Sequence, residues 1–484
     1  YESLIKFGNK YDLSKLENSK GHNIIPKLKY LSSDELLPNQ KDIEFYVDDF
    51  KVNDINISKS LSDATIQVFI NNPDNYVISD LKIEGLNIDR VNKNIYDEGQ
   101  TLYEVHVTPE RYYDSYLINS ITYKKGNKNV TVNPSSKVDL TFYKDLSTFE
   151  DWQQVDSYVY ENYRLTNDID FSGKTNIKTR VSFNRLEGTD GGHTLKNISF
   201  SPTSGHVGLI DTVSANISDV NFDNVTINST SSTAFTGIIR FLNGTMYNVN
   251  FKDVKISSKG NNVGCVAFDQ SPDIKNVELD TITVNGNYYV GGFIGSMRYF
   301  DIAHVKAKHI NVTGTYDYIG GVVGIRDNSS YSTVFNVDVS DIHVTGRDEV
   351  GGIFGRGAAD FVTADDVHVT GRRYVGGLFG RHYITYGYRM SIKNSEINSS
   401  EYYTGGIAGY SYQLNYVYAD NIVINSSYTG DAYVGGISGI GGWGVFYSGI
   451  RNSRITSAGN YVGGIRGKNR RKIPRQYRVG FYGQ

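Results

Sequence analysis

The sequence predicts an all-β chain: a parallel β-helix, or solenoid, of about ten coils preceded by a small β-sandwich-like domain. Three observations carry this. A glycine-rich heptapeptide recurs at a solenoid period, and the stretches between its copies alternate apolar and polar residues as half-buried strands do. The composition, with 50 Gly and 38 Tyr against 8 Pro and 3 Met, suits short strands and tight turns better than helices. With 484 residues and 39% apolar content there is enough material for a sizeable core, and length alone suggests two to four domains.

In chain order, residues 1–40 hold Leu13-Ser-Lys-Leu16 and Leu36-Leu-Pro38 without sustained periodicity and read as a linker or lead-in. Residues 41–143 contain alternating runs such as Ala64-Thr-Ile-Gln-Val-Phe-Ile70, Leu102-Tyr-Glu-Val-His-Val107 and Leu117-Ile-Asn-Ser-Ile-Thr-Tyr123, broken at Asn72-Pro73 and Lys125-Gly126. About 100 residues of such strands fit a small sandwich. Ser147-Thr-Phe-Glu150 has the form of a capping box that starts a short helix through about Val155, placed to cover the first coil. Tyr163-Arg-Leu-Thr-Asn-Asp-Ile-Asp-Phe-Ser-Gly173 and Phe183–Leu195 then open the β-helix, which runs over 144–467.

The heptapeptide occurs as Tyr289-Val-Gly-Gly-Phe-Ile-Gly295, Tyr318-Ile-Gly-Gly-Val-Val-Gly324, Glu349-Val-Gly-Gly-Ile-Phe-Gly355 and Tyr374-Val-Gly-Gly-Leu-Phe-Gly380. It continues as Tyr403-Thr-Gly-Gly-Ile-Ala-Gly409, Tyr433-Val-Gly-Gly-Ile-Ser-Gly439 and Tyr461-Val-Gly-Gly-Ile-Arg-Gly467. These seven copies hold 21 of the 50 glycines, so the glycine excess is periodic. Weaker copies at 207–210, 236–239 and 263–266 extend the series to ten, with a mean spacing of about 28 residues. At about 3.3 Å per residue, such a unit traces roughly 90 Å, enough for a coil of three short strands, and ten coils stacked at about 4.8 Å span roughly 50 Å.

Between the glycine units, Asn224-Val-Thr-Ile-Asn228, Asp253-Val-Lys-Ile-Ser257, Thr281-Ile-Thr-Val-Asn285, Asp341-Ile-His-Val-Thr345 and Asp366-Val-His-Val-Thr370 alternate strictly. Their aliphatic residues should face inward and their polar residues outward. The pairs Gly291/Gly292, Gly320/Gly321, Gly351/Gly352, Gly376/Gly377, Gly405/Gly406, Gly435/Gly436 and Gly463/Gly464 are expected to be corners, since glycine tolerates φ > 0 and has no Cβ to obstruct a stacked neighbour. Residues 468–484, with six cations between Lys468 and Arg478, form a basic tail or a link to a further domain.

A net charge of −3 argues against a nucleic-acid binder selected on bulk positive charge. No run approaches the roughly 18 apolar residues of a membrane helix, so no membrane insertion is expected in this segment. The lone Cys265 gives no internal disulfide or zinc-finger pattern and suits a cytosolic protein or one exported by a bacterium that does not use disulfides. A start at Tyr1-Glu2-Ser3, without Met or a signal-like segment, suggests a processed or excised piece.

No zinc-peptidase, nucleophile-elbow, phosphate-loop or EF-hand motif is present, and no catalytic, cofactor or metal residue is assigned. His343 and His368, flanked by Asp341 and Asp366, fall at equivalent positions in consecutive coils and could hold a metal. The same slot carries Thr226, Lys255, Thr283 and Asn311, which makes a solvated outward row the better reading. Asp360, Asp365 and Asp366 are the nearest approach to a glycan-cleaving acid and base, though any soluble solenoid presents comparable carboxylates. Tyr289, Tyr318, Tyr374, Tyr403, Tyr433 and Tyr461 form a row two residues before each diglycine, with Glu349 as the exception. That row is either a stabilising aromatic ladder or a strip that grips an extended peptide or sugar.

The Tyr-Val-Gly-Gly-apolar-x-Gly unit resembles the glycine-rich (GLUG-type) repeats upstream of the catalytic domain in the streptococcal immunoglobulin A1 protease family of zinc metallopeptidases. Leu165-Thr-Asn-Asp-Ile-Asp-Phe-Ser-Gly173, Asn184-Arg-Leu-Glu-Gly188 and His193-Thr-Leu-Lys-Asn-Ile-Ser199 are similar to the entry into that region. The resemblance covers about 145–467 well and the first 144 residues more loosely. It implies an exported, often wall-anchored protein of a Gram-positive bacterium whose partners are a host substrate, immunoglobulin A1 or a similar glycoprotein, and an adjoining catalytic domain. Zinc is implied for that domain. The family's His-Glu-x-x-His motif has no counterpart here, so the segment is expected to act as a non-catalytic scaffold or substrate-positioning region. A stand-alone adhesin or stalk and a carbohydrate-active β-helix enzyme are the competing readings.

Overall fold

A computed structural model describes residues 51–57, 64–71, 77–95, 100–109, 116–125, 127–132, 136–138, 141–157, 160–232, 235–271, 273–298, 301–326 and 334–469. The lead-in of 1–40 and nearly all of the basic tail lie outside the described residues. The chain divides into two compact units, Tyr1–Phe142 and Tyr143–Gln484.

The first unit is antiparallel. Lys51–Ile57, Ala64–Asn71, Gln100–Pro109 and Leu86–Ile95 pair in that order in one sheet. In a second, Val77–Glu84 pairs with Tyr116–Lys125, which also receives Lys128–Val132 and Ser136–Val138. Period-two alternation buries Leu81 and Ile83 while Lys82 and Glu84 stay exposed.

The second unit is a parallel β-solenoid of about ten turns, because a repeat near 28 residues places each segment above its own equivalent. Val254, Ile282, Ile310, Ile342 and Val367 stack in register in five consecutive rungs. So do Ile256, Val284, Val312, Val344 and Val369, and all ten are at most 1% exposed. Another interior column runs through Ile169, Leu195, Phe222 and Phe251, and the two phenylalanine rings stack at 5.2 Å. Burying each such side chain is worth about 1.5–3 kcal/mol, which makes these columns the main source of cohesion between rungs. Outside them, Lys308 meets Asp280 at 3.1 Å, Lys393 meets Asp365 at 3.1 Å and Arg451 meets Asp420 at 2.7 Å. Opposite charges thus alternate along the stack, where like charges would repel.

The N-terminal end is closed by the helix Phe149–Gln154. Its N-cap is Thr148, with Asp151 completing the capping box, one residue later than the Ser147/Glu150 pairing expected from sequence. Asp151 wins because its shorter carboxylate accepts from both the Ser147 and the Thr148 amides, each at 2.9 Å. Trp152 is fully buried, donates to the Lys178 carbonyl at 2.9 Å and packs on Phe171 and Phe183 at 5.7 and 5.8 Å.

Each rung turns through residues in the left-handed region, and in the seven glycine repeats also through a bend at the diglycine. One corner row reads Asn197, Asn224, Asp253, Thr281, His309, Asp341, Asp366, Asn394, Asn421 and Asn452, all with φ between 49° and 61°. A second reads Asp219, Asn248, Asn276, His304, Asn336, Phe361, Arg389, Tyr416 and Tyr447. The third holds Asn262, the six repeat tyrosines and Glu349, with φ from 50° to 71°. Asn and Asp reach this region at low cost, and their amides bond along the stack, as Asn224 does to Asn197 and Asn421 to Asn394, both at 2.8 Å.

The paired glycines were expected to turn the chain through φ > 0, and that expectation is corrected: none of them has φ in the left-handed region. The first of each pair, Gly291, Gly320, Gly351, Gly376, Gly405, Gly435 and Gly463, lies in a short strand and pairs in parallel with its equivalent in the next rung. The second, Gly292, Gly321, Gly352, Gly377, Gly406, Gly436 and Gly464, follows the strand end in a bend that belongs to no strand. What these positions demand is clearance. A Cβ on Gly291 would lie 2.1 Å from the Ile294 oxygen and one on Gly324 2.6 Å from the Val290 nitrogen. Within the bends, a Cβ on Gly292 would lie 2.4 Å from the Gly321 oxygen, on Gly352 2.3 Å from the Gly377 oxygen and on Gly436 2.1 Å from the Gly464 oxygen. The two arms of the heptapeptide press together, and against the neighbouring rung, along surfaces that have room for no side chain.

Candidate functional site

The tyrosine row begins from a strained backbone. A tyrosine at φ near 55° costs on the order of 1–3 kcal/mol, and it persists only where its surroundings enforce it. Here the rings stack from rung to rung: Tyr289 on Tyr318 at 5.1 Å, Tyr374 on Tyr403 at 4.8 Å, Tyr403 on Tyr433 at 5.2 Å and Tyr433 on Tyr461 at 4.9 Å. Except for Tyr461 at the last rung, which is 46% exposed, the rings are half-buried.

Glu349 interrupts the row, yet the interruption is filled. Arg356 grips the Glu349 carboxylate through Nε and a terminal nitrogen, both at 2.5 Å, and lays its guanidinium over the Tyr318 ring at 4.6 Å. Arg381 approaches the same carboxylate at 3.7 Å and covers the Tyr374 ring at 4.1 Å. At the far end Lys468 sits over Tyr433 and Tyr461 at 4.9 and 4.7 Å. The ridge is therefore a continuous column of rings and cations, its faces largely taken by one another. Beside it, Asp317 pairs with Arg347 through two bonds of 2.8 Å, and Asp348 receives both Arg372 and Arg373. Burial opposes ionisation of Asp348, but the hydrogen bonds from the two arginines hold its carboxyl at about 2.

His343 and His368 stack at 4.7 Å, and each Nε2 engages its own aspartate, Asp341 at 3.1 Å and Asp366 at 2.9 Å. Among the described residues no three His, Cys, Asp or Glu side chains form a group that could hold a metal. The carboxylates Asp360, Asp365 and Asp366 do not form an acid–base pair. Asp360 precedes the left-handed corner at Phe361 and accepts from the Tyr388 amide at 2.7 Å, Asp365 is held by Lys393 and Asn394, and Asp366 by His368.

The interior holds two titratable groups that sequence reading did not single out. His382 is fully buried with neither ring nitrogen partnered, and desolvation lowers its pKa to about 4. Asp269 is 1% exposed, and desolvation, against one bond from the Ser271 amide, raises its carboxyl to about 8. Their effects oppose. A depressed histidine contributes stability that is complete above its unfolded value near 6.5 and is lost as pH falls toward 4. A raised carboxyl contributes stability that is complete below its unfolded value near 3.9 and is lost as pH rises toward 8. Between pH 7 and pH 5 the two terms are each about 2–3 kcal/mol and nearly cancel. His382→Leu is accordingly expected to gain stability on acidification over that range, and Asp269→Asn to lose it, in urea melts at the two pH values. Identical pH profiles in both variants would show that burial displaces neither group's pKa from its unfolded value.

Sequence reading also missed a second aromatic surface. Seven of the eleven large apolar or aromatic side chains exposed among the described residues, Phe361, Tyr383, Tyr412, Tyr416, Tyr418, Trp443 and Tyr447, lie between residues 361 and 447 outside the heptapeptide. Parallel pairing brings them into adjoining columns, with Tyr416 stacked on Tyr447 at 4.9 Å, Tyr388 against Tyr416 at 5.2 Å and Tyr412 against Trp443 at 6.1 Å. A groove of about 610 Å³ opens beside them, lined by Asn336, Asp338, Thr363, Arg389, Tyr416 and Tyr418 among others.

No family of known proteins and no curated protein matches the chain. Among solved structures, it is similar at 15% identity to a protein of Bacteroides ovatus provisionally named an immunoglobulin A1 protease. The similarity covers 66% of this chain and 84% of that one, with a TM-score of 0.25.

Proposed function

We propose that this chain is a non-catalytic scaffold and substrate-positioning region of a secreted or surface zinc metalloprotease that cleaves immunoglobulin A1 or a related host glycoprotein. The resemblance of the heptapeptide and of the 165–199 entry segment to that family motivates the reading. The observation that carries the scaffold role is the engagement of the solenoid's polar columns with themselves. Asp280 and Asp365 are paired rung to rung with Lys308 and Lys393, and His343 and His368 stack on each other while each engages its own aspartate. On this reading the zinc and the reacting groups belong to an adjoining catalytic domain, as the family resemblance implies.

The test compares the full-length product with this segment. The full-length protein should cleave the glycoprotein and lose activity to a chelator, while the segment alone should be inert. Peptidase activity in the segment, or release of sugar from polysaccharide by either protein, defeats the reading. Tyr374→Ala and Tyr403→Ala separate the two roles of the tyrosine ridge. Each should lower stability by roughly 2 kcal/mol through lost stacking and cation–π contact. If the ridge also grips substrate, the variants will raise KM for the glycoprotein under conditions where they remain folded.

A further inference from the structure

We infer that the aromatic face between residues 361 and 447 binds an acidic glycan of a host glycoprotein, with Arg389 taking the carboxylate of a sialic-acid-type sugar. The choice of a host source rests on the positioning role proposed above; the binding chemistry does not.

The first support is a broken local rule. The corner row that passes through this face uses Asp219, Asn248, Asn276, His304 and Asn336 in its early rungs, residues that enter the left-handed region cheaply. It then changes to Phe361, Arg389, Tyr416 and Tyr447 with the same φ of 50–54°. The parallel row ending Asn394, Asn421 and Asn452 makes no such change, so rung geometry does not require it. Rings of the changed row contact one another, Tyr416 on Tyr447 at 4.9 Å, but departures from local preference at exposed positions mark functional ones. These side chains gain little burial, since Phe361, Tyr416 and Tyr447 are 43%, 38% and 66% exposed.

The second support is charge. Arg389 is exposed and lies 5.8 and 5.3 Å from the rings of Phe361 and Tyr388, with no carboxylate or hydrogen-bond partner among the described residues. The ridge arginines Arg347, Arg356, Arg372 and Arg373 are all paired with carboxylates. A guanidinium held between rings with its donors free is matched by a planar carboxylate, which it can bind through two bonds.

The third is the character of the surface. It is dominated by Tyr and Trp rather than Leu, Ile or Met, which gives ring faces and edges for the apolar side of a pyranose and hydroxyls for its polar side. The groove adds the amide of Asn336, the hydroxyl of Thr363 and the carboxylate of Asp338, all suited to sugar hydroxyls. Asp338 belongs to a rung two steps from that of Arg389, about 10 Å along the stack, so it can serve a neighbouring sugar without opposing the acidic one. An apolar peptide would leave these polar groups unanswered, and a basic one would meet Arg389.

The experiment titrates the intact chain with 3′-sialyllactose, lactose, polygalacturonate and a proline-rich peptide, read by calorimetry and ligand-observed NMR. Sialyllactose should bind at least tenfold more tightly than lactose. Arg389→Ala should abolish that preference, Arg389→Lys should restore part of it, and Trp443→Ala and Tyr416→Ala should weaken both sugars. Lys255→Ala, an exposed position in an early rung away from this face, should bind as wild type, and melting curves confirm that each variant is folded. Equal binding of lactose and sialyllactose, no binding of sialyllactose at millimolar concentration, or preference for polygalacturonate or the peptide overturns the inference. Each of these outcomes leaves the cleavage assay of the full-length protein untouched, so the two readings fail separately.

Discussion

Gly376→Val should unfold or strongly destabilise the solenoid, while Gly464→Ala, at the second glycine of the last diglycine, should be nearly silent. A Cβ at residue 376 would stand 2.1 Å from the Phe379 oxygen, 2.7 Å from the Ala408 Cα and 2.7 Å from the Gly409 nitrogen. These are backbone atoms of its own hairpin-like return and of the next rung, so no side-chain rotation relieves the clash. The rungs would have to separate, which breaks the ladder bonds Gly377 N–H to Gly405 O and Leu378 N–H to Ile407 O as well as the packing behind them. Overpacking in a close-packed interior costs about 1–3 kcal/mol when neighbours can shift, and this site should reach or exceed the top of that range. At Gly464 a Cβ meets nothing within 4 Å among the described residues. Alanine there should change stability by less than about 1 kcal/mol. The comparison also separates two explanations of the repeat. If the glycines served a backbone conformation, Gly377→Ala and Gly464→Ala would cost alike. If they serve clearance, Gly377→Ala, with its Cβ 2.2 Å from the Gly406 oxygen, should cost several times more. Thermal melts of the three variants decide the matter, and equal melting temperatures for Gly376→Val and wild type would falsify the clearance account.

This pair of variants also shows where the sequence was informative. Rungs in register were legible because a regular repeat writes the same residue type above itself, so Val254, Ile282, Ile342 and Val367 could be assigned to one interior column from alternation and spacing alone. The glycine positions were legible and half of their reason with them: of the two advantages expected, φ > 0 and a missing Cβ, the structure uses only the second, as at Gly352 and Gly436. The left-handed residues turned out to be the tyrosines next door, which resist that conformation. Ring stacking and cation–π contacts between rungs hold them there, and those are tertiary. The Asn-rich corner row, by contrast, carried a readable signal in Asn394, Asn421 and Asn452. The aromatic face escaped notice for a different reason. Tyr412 and Trp443, or Phe361 and Tyr388, lie in rungs of unequal length and share no motif, so their adjacency emerges only once the strands are paired. The unpaired state of Arg389 could not be read from sequence at all.

Glu349→Ala is the second substitution expected to have a large effect, and it tests whether the ridge is a single electrostatic and aromatic column. Glu349 is 6% exposed and neutralises two guanidiniums, Arg356 in its own rung and Arg381 in the next. Removing one partner of a buried ion pair leaves an uncompensated charge and commonly costs about 3–5 kcal/mol. Arg356 and Arg381 keep 28% and 24% of their side-chain surface in water, so they can partly turn outward, and a loss of roughly 2–3 kcal/mol is expected. Glu349→Gln should lose most of the same amount, because it preserves shape but not charge. Glu349→Tyr installs the residue that the other repeats carry at this corner. Its ring would lie between Tyr318 and Tyr374 and offer a face to the arginines, recovering about 1 kcal/mol relative to alanine through stacking and cation–π contact. The expected order in urea melts is wild type, then Tyr, then Gln and Ala. If Glu349→Ala melts as wild type, the two arginines do not depend on the carboxylate, and the ridge is two separate aromatic ladders rather than one column.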